Sequence, residues 1–125
     1  MFRLSIFALL LVLILAGCDS SSDDPAKVIM QYLEARIASD VDALRELSCA
    51  AWESQAIREA DSFRGRNAEL QGVTCAVASQ DGDEAVIECE GHIVATYQGE
   101  QNTFPVGNYR VVQEDGAWKM CGESE

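Results

Sequence analysis

The five cysteines carry most of the reactive chemistry in this sequence. Cys18 stands apart from the rest, at the end of an apolar run over residues 4–15 that is followed by the pair AG. The other four lie further along the chain: Cys49, Cys75, Cys89 and Cys121. A thiolate is a nucleophile that can be alkylated, and two thiols can be oxidised to a disulfide. The position of Cys18 therefore indicates covalent modification, and the even number of the remaining cysteines indicates disulfides.

The segment before Cys18 has the pattern of a secretory signal peptide. A short basic start, MFR, precedes the apolar run over residues 4–15, and small residues follow it. A membrane-spanning helix needs about 20 apolar residues, so this run is too short to be one. We expect residues 1–17 to be removed on export.

The run LAGC over residues 15–18 resembles the bacterial lipobox. The resemblance implies that diacylglycerol is attached to the thiol of Cys18 and that the leader is cut before it. Two acyl chains would anchor the protein firmly to a membrane at the cell envelope, since each buried methylene contributes about 0.8 kcal/mol. An ordinary signal peptide followed by a chance cysteine is the alternative.

We predict that residues 18–24 form a flexible acidic tether. The run DSSSDD over residues 19–24 contains no apolar side chain that could pack against a domain. Asp19, directly after the cysteine, resembles the signal that keeps enteric lipoproteins on the inner membrane. The alternative is that Asp19 only begins the tether.

The composition is strongly acidic, with 21 Asp and Glu against nine Lys and Arg and a net charge of −12. The leader holds one basic residue, Arg3, and no acidic residue, so its removal changes the net charge to −13. Such a charge repels nucleic acid and argues against nucleic-acid partners. A merely solvated acidic surface and a surface that attracts cations both stay open.

Helical and strand patterns occupy separate parts of residues 25–125. Asp24 and Pro25 are suited to begin a helix, and a second helix should start after Asp40. A third is predicted from about residue 50 to 63. Beyond residue 67 the apolar period changes to two, with turns at 80–83 and 99–102 and a strand from about 103 to 113. Helices followed by an antiparallel meander define an α+β domain.

The pair DG at residues 115–116 predicts a two-residue hairpin loop. In that register Gln113 faces Trp118 and Val111 faces Met120. The same register places Cys121 on the opposite sheet face from Trp118. Either that face meets the helices, or the last strand bends near its end.

Four cysteines allow three disulfide connectivities. A hairpin turning around Gly82 places position 80 opposite 84 and Cys75 opposite Cys89, which is close enough for a bond. Cys49 and Cys121 would then pair by elimination.

Several stretches resemble the nuclear transport factor 2-like superfamily: YLEA at 32–35, Asp40, AL at 43–44 and DGAWKM at 115–120. The resemblance extends over residues 25–121 and implies a curved sheet wrapped around helices, forming a cone with a pocket. Small bacterial lipoproteins are common in this superfamily. Its members include isomerases, polyketide cyclases, dehydratases and non-enzymatic binders, so the fold does not define an activity.

Such a pocket would be lined by large aromatic side chains or by the single histidine. His92 could act as a general base if a bulge at Gly91 turned it inward. In an unbroken strand it would share an outer face with Glu88 and Glu90. The aromatic residues could equally belong to the core. The candidates for the lining are Tyr32, Trp52, Tyr97, Tyr109, Trp118 and His92.

No cofactor and no metal site is predicted. Zinc would need more ligands than one histidine and cysteines without a Cys-x-x-Cys pair provide. The run DGDE at 81–84 offers oxygen ligands but lacks the spacing of an EF-hand loop, so we predict a plain turn.

These features favour a membrane-anchored envelope lipoprotein with a non-catalytic binding or accessory domain over residues 25–125. Its partners would be the membrane, through Cys18, and a small apolar ligand or an envelope protein. The alternative is a small isomerase- or cyclase-like enzyme that uses His92 in the pocket. A purely protein-binding domain, recognisable by an exposed apolar patch, is a third hypothesis.

Overall fold

The computed structural model describes residues 24–125. Three helices come first: α1 (Pro25–Ile37), α2 (Val41–Leu47) and α3 (Glu53–Ala60). Five strands follow: β1 (Asn67–Asp81), β2 (Glu84–Tyr97), β3 (Glu100–Pro105), β4 (Asn108–Glu114) and β5 (Ala117–Ser124). The predicted α+β order of helices before an antiparallel sheet is confirmed. The leader, Cys18 and the tether as far as residue 23 lie outside the described residues.

The first two helices begin where the sequence predicts. The Asp24 side chain accepts a hydrogen bond from the Ala26 N–H at 3.0 Å, with Pro25 at the first helical position. The Asp40 side chain accepts from the Ala43 N–H at 3.1 Å. Each aspartate satisfies a backbone donor that has no partner inside its helix. None of the helices in residues 24–125 is long and apolar enough to cross a membrane.

The third helix is shorter than the predicted span of 50–63. The Cys49 N–H donates to the Met120 carbonyl at 2.9 Å, and Ser48 forms an isolated parallel bridge with Met120. Because this backbone is held against β5, helical geometry starts only after Trp52. Turns occupy residues 61–65 and end at Gly65, whose φ of 72° is left-handed.

The sheet has the order β1-β2-β4-β5, and β3 also pairs with β2. The prediction of one strand over residues 103–113 is wrong, because the chain breaks into β3 and β4 at residues 106–107. Across this break the Val106 N–H donates to the Gly91 carbonyl at 3.1 Å, and the Cys89 N–H donates to the Gly107 carbonyl at 3.3 Å. The chain therefore stays hydrogen-bonded to β2 across the break. The preceding turn lies at residues 98–99, so β3 begins at Glu100, inside the turn predicted over 99–102.

The hairpin of β1 and β2 is irregular at two places. Gln80 faces Ala85, not position 84 as predicted, because Asp81 and Glu84 close the turn. A register shift between Val77 and Ser79 then compensates for this difference, so Cys75 faces Cys89 as expected. The pairing prediction was thus right, although its register at the turn was wrong by one residue.

The hairpin of β4 and β5 has the predicted register. Gln113 faces Trp118 and Val111 faces Met120 across Asp115 and Gly116, which have φ angles of 54° and 78°. The register shifts next to Val111, so that Arg110 pairs with Gly122. Cys121 lies at this irregularity, which corresponds to the bend that the sequence left open.

Both expected disulfides are present. Cys75 and Cys89 are bonded with their Cα atoms 4.1 Å apart, and Cys49 is bonded to Cys121 with a Cα separation of 5.3 Å. The first bond staples a hairpin. The second ties the segment between α2 and α3 to the last strand, and so holds the helices against the sheet.

The core lies between the helices and the concave face of the sheet. A large buried cluster includes Ile29 and Leu33 of α1 together with Ile87 and Val111 of the sheet. A smaller cluster of Phe63, Ile93 and Ala95 lies separately, where β2 pairs with β3. The space between these two clusters contains the candidate site.

Candidate functional site

The cone contains a cavity of about 600 Å³. It opens between the end of α1, the turns after α3, the junction of β3 with β4, and the end of β5. Its apolar wall consists of Phe63, Ile93, Phe104, Pro105, Val106 and Tyr109. Its polar wall consists of Arg36, Ser62, Arg66, Gly107, Asn108, Glu123 and Ser124. A cavity of this size, lined by both apolar and polar side chains, is large enough for a small organic ligand.

Arg36, in the last turn of α1, is the most buried charged side chain of the wall, with 22 % of its surface exposed. Its guanidinium carbon lies 5.3 Å from the centroid of the Phe63 ring, within the range of a cation–π contact. Its Nε atom is buried and has no hydrogen-bond partner in the described part of the chain. This side chain therefore brings a positive charge to the cavity wall, while its Nε–H lies behind that wall without a partner.

A buried polar network lies behind Arg36. The Tyr32 hydroxyl donates to Glu59 Oε2 at 2.6 Å and accepts from Trp52 Nε1 at 3.0 Å. Glu59 Oε2 lies 3.9 Å from Arg36 Nε, close enough for an ion pair but too far for a hydrogen bond. Burial, followed by the hydrogen bond to Glu59, raises the pKa of the Tyr32 hydroxyl well above its ordinary value. Tyr32 is consequently a neutral donor that fixes Glu59 beside the arginine.

Tyr109 is the one predicted lining residue that reaches the cavity. Its hydroxyl accepts a hydrogen bond from the Gly107 N–H at 3.2 Å, and no acceptor for its own hydrogen is found within residues 24–125. Burial is the main cause that raises the pKa of Tyr109 above its ordinary value. The hydroxyl therefore keeps its proton and can donate it in a hydrogen bond to a ligand.

Arg66 brings a second positive charge to the cavity wall. It is exposed, and its guanidinium carbon lies 5.9 Å from the Tyr97 ring. Tyr97 itself is 53 % exposed, so the predicted pocket role of that tyrosine is wrong. It instead supports Arg66 from outside the cavity.

The other predicted lining residues belong elsewhere. Tyr32 and Trp118 are core residues, and Trp52 packs partly buried against the core. His92 is exposed on the outer face, paired with Gln71 and Pro105 in the sheet. Although β1 and β2 are irregular opposite Gly91, Ile93 and Ala95 keep the inward direction, so His92 is not turned into the cavity.

The sequence analysis missed both arginines of the cavity. A signal for Arg36 existed, because it follows Leu33 by three positions and Tyr32 by four, on the apolar stripe of α1. A charged residue on such a stripe is a departure from the pattern of a plain core helix. Within residues 24–125, no cluster of three or more His, Cys, Asp or Glu could hold a metal ion.

Several solved structures have this architecture at low sequence identity. A nuclear transport factor 2-like protein with a cystatin-like fold from Novosphingobium aromaticivorans has a TM-score of 0.57 at 16 % identity, covering 78 % of this chain and 75 % of its own. A Shewanella frigidimarina protein provisionally named a ketosteroid isomerase has a TM-score of 0.56 at 16 % identity, covering 78 % and 91 %. A Streptomyces avermitilis protein of the nuclear transport factor 2-like family, provisionally named a dehydratase, has a TM-score of 0.59 at 15 % identity, covering 86 % and 99 %.

No protein-family model and no curated protein matches the sequence. The likeness to the solved structures nevertheless shows that the chain has the nuclear transport factor 2-like fold, as the resemblance of its helix and hairpin motifs implied. Because one fold of this kind serves enzymes and binding proteins alike, the function must be argued from the cavity.

Proposed function

We propose that this protein binds a small molecule in its cone and is held at the cell envelope by lipid on Cys18. It acts in this proposal as a binding or accessory domain and not as an enzyme. The observation that carries the binding function is the cavity of about 600 Å³, whose lining combines aromatic and aliphatic side chains with a comparable share of polar and charged ones.

The tyrosines near the cavity and the single histidine are poorly placed to act as a general base. A general base must reach the substrate and have a pKa near the working pH. The pKa of Tyr109 is raised, and Tyr32 is engaged with Glu59 and Trp52 behind the wall. The alternative enzyme depends on His92, which is exposed and does not line the cavity.

The proposed anchor agrees with a ligand-binding role close to a membrane. Six residues join Cys18 to the start of α1 at Pro25. At about 3.5 Å per extended residue, this tether would keep the domain within roughly 20 Å of its lipid. Apolar molecules that partition into the membrane would thus be within reach of the cavity.

A titration followed by amide nuclear magnetic resonance tests the binding site. The uncharged aromatic 1-naphthamide should shift the amide signals of Phe63, Val106 and Gly107 in a saturable way. Gly107→Trp adds volume to the wall at a position where a Cβ meets nothing within 4 Å and φ is not left-handed, so folding should persist. This variant should weaken binding about tenfold or more, since the added ring competes for the cavity.

The control is Gln101→Trp, which introduces the same indole side chain at an exposed position of β3 outside the wall. It should leave the affinity for 1-naphthamide unchanged. Shifts that are scattered over the surface, or equal binding by the Gly107→Trp variant, would contradict the proposed site.

A further inference from the structure

Two arginines line the same cavity in a chain with a large excess of acidic residues. Arg64 contacts Asp61 at 2.9 Å, and Arg110 contacts Glu84 at 2.8 Å. Arg66, by contrast, forms no ion pair with a carboxylate of residues 24–125, and Arg36 reaches one only at 3.9 Å. Cationic side chains that stay without a close carboxylate at a cavity wall indicate a site for an anion.

The buried Nε of Arg36 is closed off from the cavity, so a ligand can pair only with the terminal nitrogens of this guanidinium. A buried donor without a partner costs free energy, because the group has lost water and gained nothing in return. Glu59 does not remove that cost, since its Oε2 accepts from Tyr32 at 2.6 Å and lies beyond hydrogen-bond distance of Nε. An oxygen from a ligand in the cavity would satisfy the remaining donors of this guanidinium.

Two further groups would help to hold such an oxygen. Tyr109 lines the same cavity, and its hydroxyl already accepts from the Gly107 N–H, which orients its hydrogen for donation. The Phe63 ring packs 5.3 Å from the Arg36 guanidinium carbon and restricts where that group can move. The site is thus positioned before any ligand arrives, which lowers the entropic cost of binding.

We propose that the cavity binds an apolar monoanion of aromatic size, with its carboxylate against Arg36 and Tyr109. Its apolar body would lie among Phe63, Ile93 and Val106. This inference rests on the proposed binding function and names its ligand class. A singly charged ligand is favoured over a dianion because Glu123 also lines the wall and Glu59 lies behind Arg36.

Three ligands of similar shape separate charge from shape: 1-naphthoate, 1-naphthamide and 1-naphthyl phosphate. Titration of the purified protein should show that 1-naphthoate binds at least about tenfold more tightly than the neutral 1-naphthamide, as expected for a charged hydrogen-bonded pair. It should also bind more tightly than the dianionic phosphate. Equal affinities for 1-naphthoate and 1-naphthamide would overturn the inference and leave the proposed function standing.

Single substitutions then test which side chains bind the carboxylate of the ligand. Arg36→Met should remove the preference for 1-naphthoate and keep the affinity for 1-naphthamide, and Tyr109→Phe should reduce the preference several-fold. Arg64→Met, an exposed neighbour paired with Asp61 outside the cavity, is the control that should keep the full preference. If Arg64→Met lost the preference for 1-naphthoate equally, that preference would come from the overall electrostatic field of the protein, and the inference would be overturned.

Folding of the variants is checked separately. If Arg36→Met unfolds because Glu59 loses its counter-charge, the double variant Arg36→Met with Glu59→Gln restores neutrality and repeats the test. Failure of both 1-naphthoate and 1-naphthamide to bind the folded unmodified protein up to millimolar concentration would contradict the proposed function itself. Stronger binding of the phosphate than of 1-naphthoate would overturn the monoanion assignment.

Discussion

The Tyr32 hydroxyl connects two helices, α1 and α3. Tyr32 belongs to α1, and its hydroxyl donates to Glu59 of α3 and accepts from Trp52 at the start of α3. A tyrosine hydroxyl is protonated at physiological pH, and burial raises the pKa of Tyr32 further. The position of Glu59, and through it the surroundings of Arg36, therefore depends on this residue.

Tyr32→Phe should destabilise the protein measurably. The substitution keeps the ring but removes the partner of both Glu59 Oε2 and Trp52 Nε1, and an unsatisfied buried polar group costs about 1–3 kcal/mol. Urea unfolding followed by tryptophan fluorescence measures the loss. Tyr97→Phe removes a hydroxyl from an exposed ring and should change the free energy of unfolding by less than about 0.5 kcal/mol. An equal effect of the two variants would show that the buried network contributes nothing.

For individual residues, the sequence predicted which types of side chain would line a pocket better than it predicted which of them lie there. Aromatic side chains were the expected lining and do line the cavity, but of the named candidates only Tyr109 is among them, beside Phe63 and Phe104, while Tyr32 and Trp118 belong to the core. Periodicity assigns a residue to a face of its element, but which part of that face is covered depends on how neighbouring elements pack. Arg36 shows the same limit, because its place at the cavity depends on where α1 ends over the sheet.

For helices and strands, the sequence correctly predicted the features that depend on interactions within a few residues, namely helix starts and a hairpin loop. Asp24, Asp40 and the Asp115-Gly116 loop each act through hydrogen bonds or φ angles within a few residues, and all three occur as expected. The division of the predicted strand into β3 and β4 was not foreseen. It depends on β2 pairing with both pieces, which is a long-range property that Pro105 alone does not reveal.

The register shifts of β1 accompany a long-range contact that the alternating sequence pattern does not show. At Gly91 an added Cβ would lie 2.5 Å from the Gly72 carbonyl oxygen, so two backbones approach here as only glycine permits. The sequence showed two glycines in strands without showing that they meet. Correct prediction of the Cys75–Cys89 pair resulted from a turn displaced by one residue and a compensating bulge.

The two disulfides should contribute unequally to stability. Loop-closure entropy assigns about 3 kcal/mol to a bridge across the 14-residue separation of Cys75 and Cys89, and about 4 kcal/mol across the 72 residues between Cys49 and Cys121. Replacing Cys49 and Cys121 by alanine should therefore lower the urea midpoint more than replacing Cys75 and Cys89. Reductant should lower the midpoint of each double variant further, through its remaining bridge. A larger loss from the hairpin pair would contradict the assigned role of the second bridge in holding helices on the sheet.

Over the whole molecule the net charge is negative, whereas two positively charged arginines line the cavity. The sequence carries a net charge of −12, and glutamates 84, 88 and 90 lie exposed beside His92 on the outer face of the sheet. The cavity instead presents two arginines inside this acidic surface. At physiological salt, repulsion between exposed charges is screened beyond roughly 8 Å, so the outer charge opposes an entering anion only weakly, while contact inside the cavity stays strong. The acidic surface is therefore compatible with the proposed binding of a small anion in the cavity.

The last prediction concerns the proposed anchor at Cys18. Cys18→Ser removes the only thiol that the lipobox-like run LAGC offers, so cells expressing this variant should incorporate no labelled palmitate into the protein. The variant should also keep its leader and therefore migrate as a larger species than the processed protein. Asp19→Ser is the matched control, since it alters the next residue but keeps the nucleophile, and it should remain labelled and processed. Fractionation of the Asp19→Ser protein between inner and outer membranes then tests the sorting role expected of the aspartate. Palmitate labelling that persists in Cys18→Ser would contradict the anchor, while the cavity and its ligand class would be unaffected.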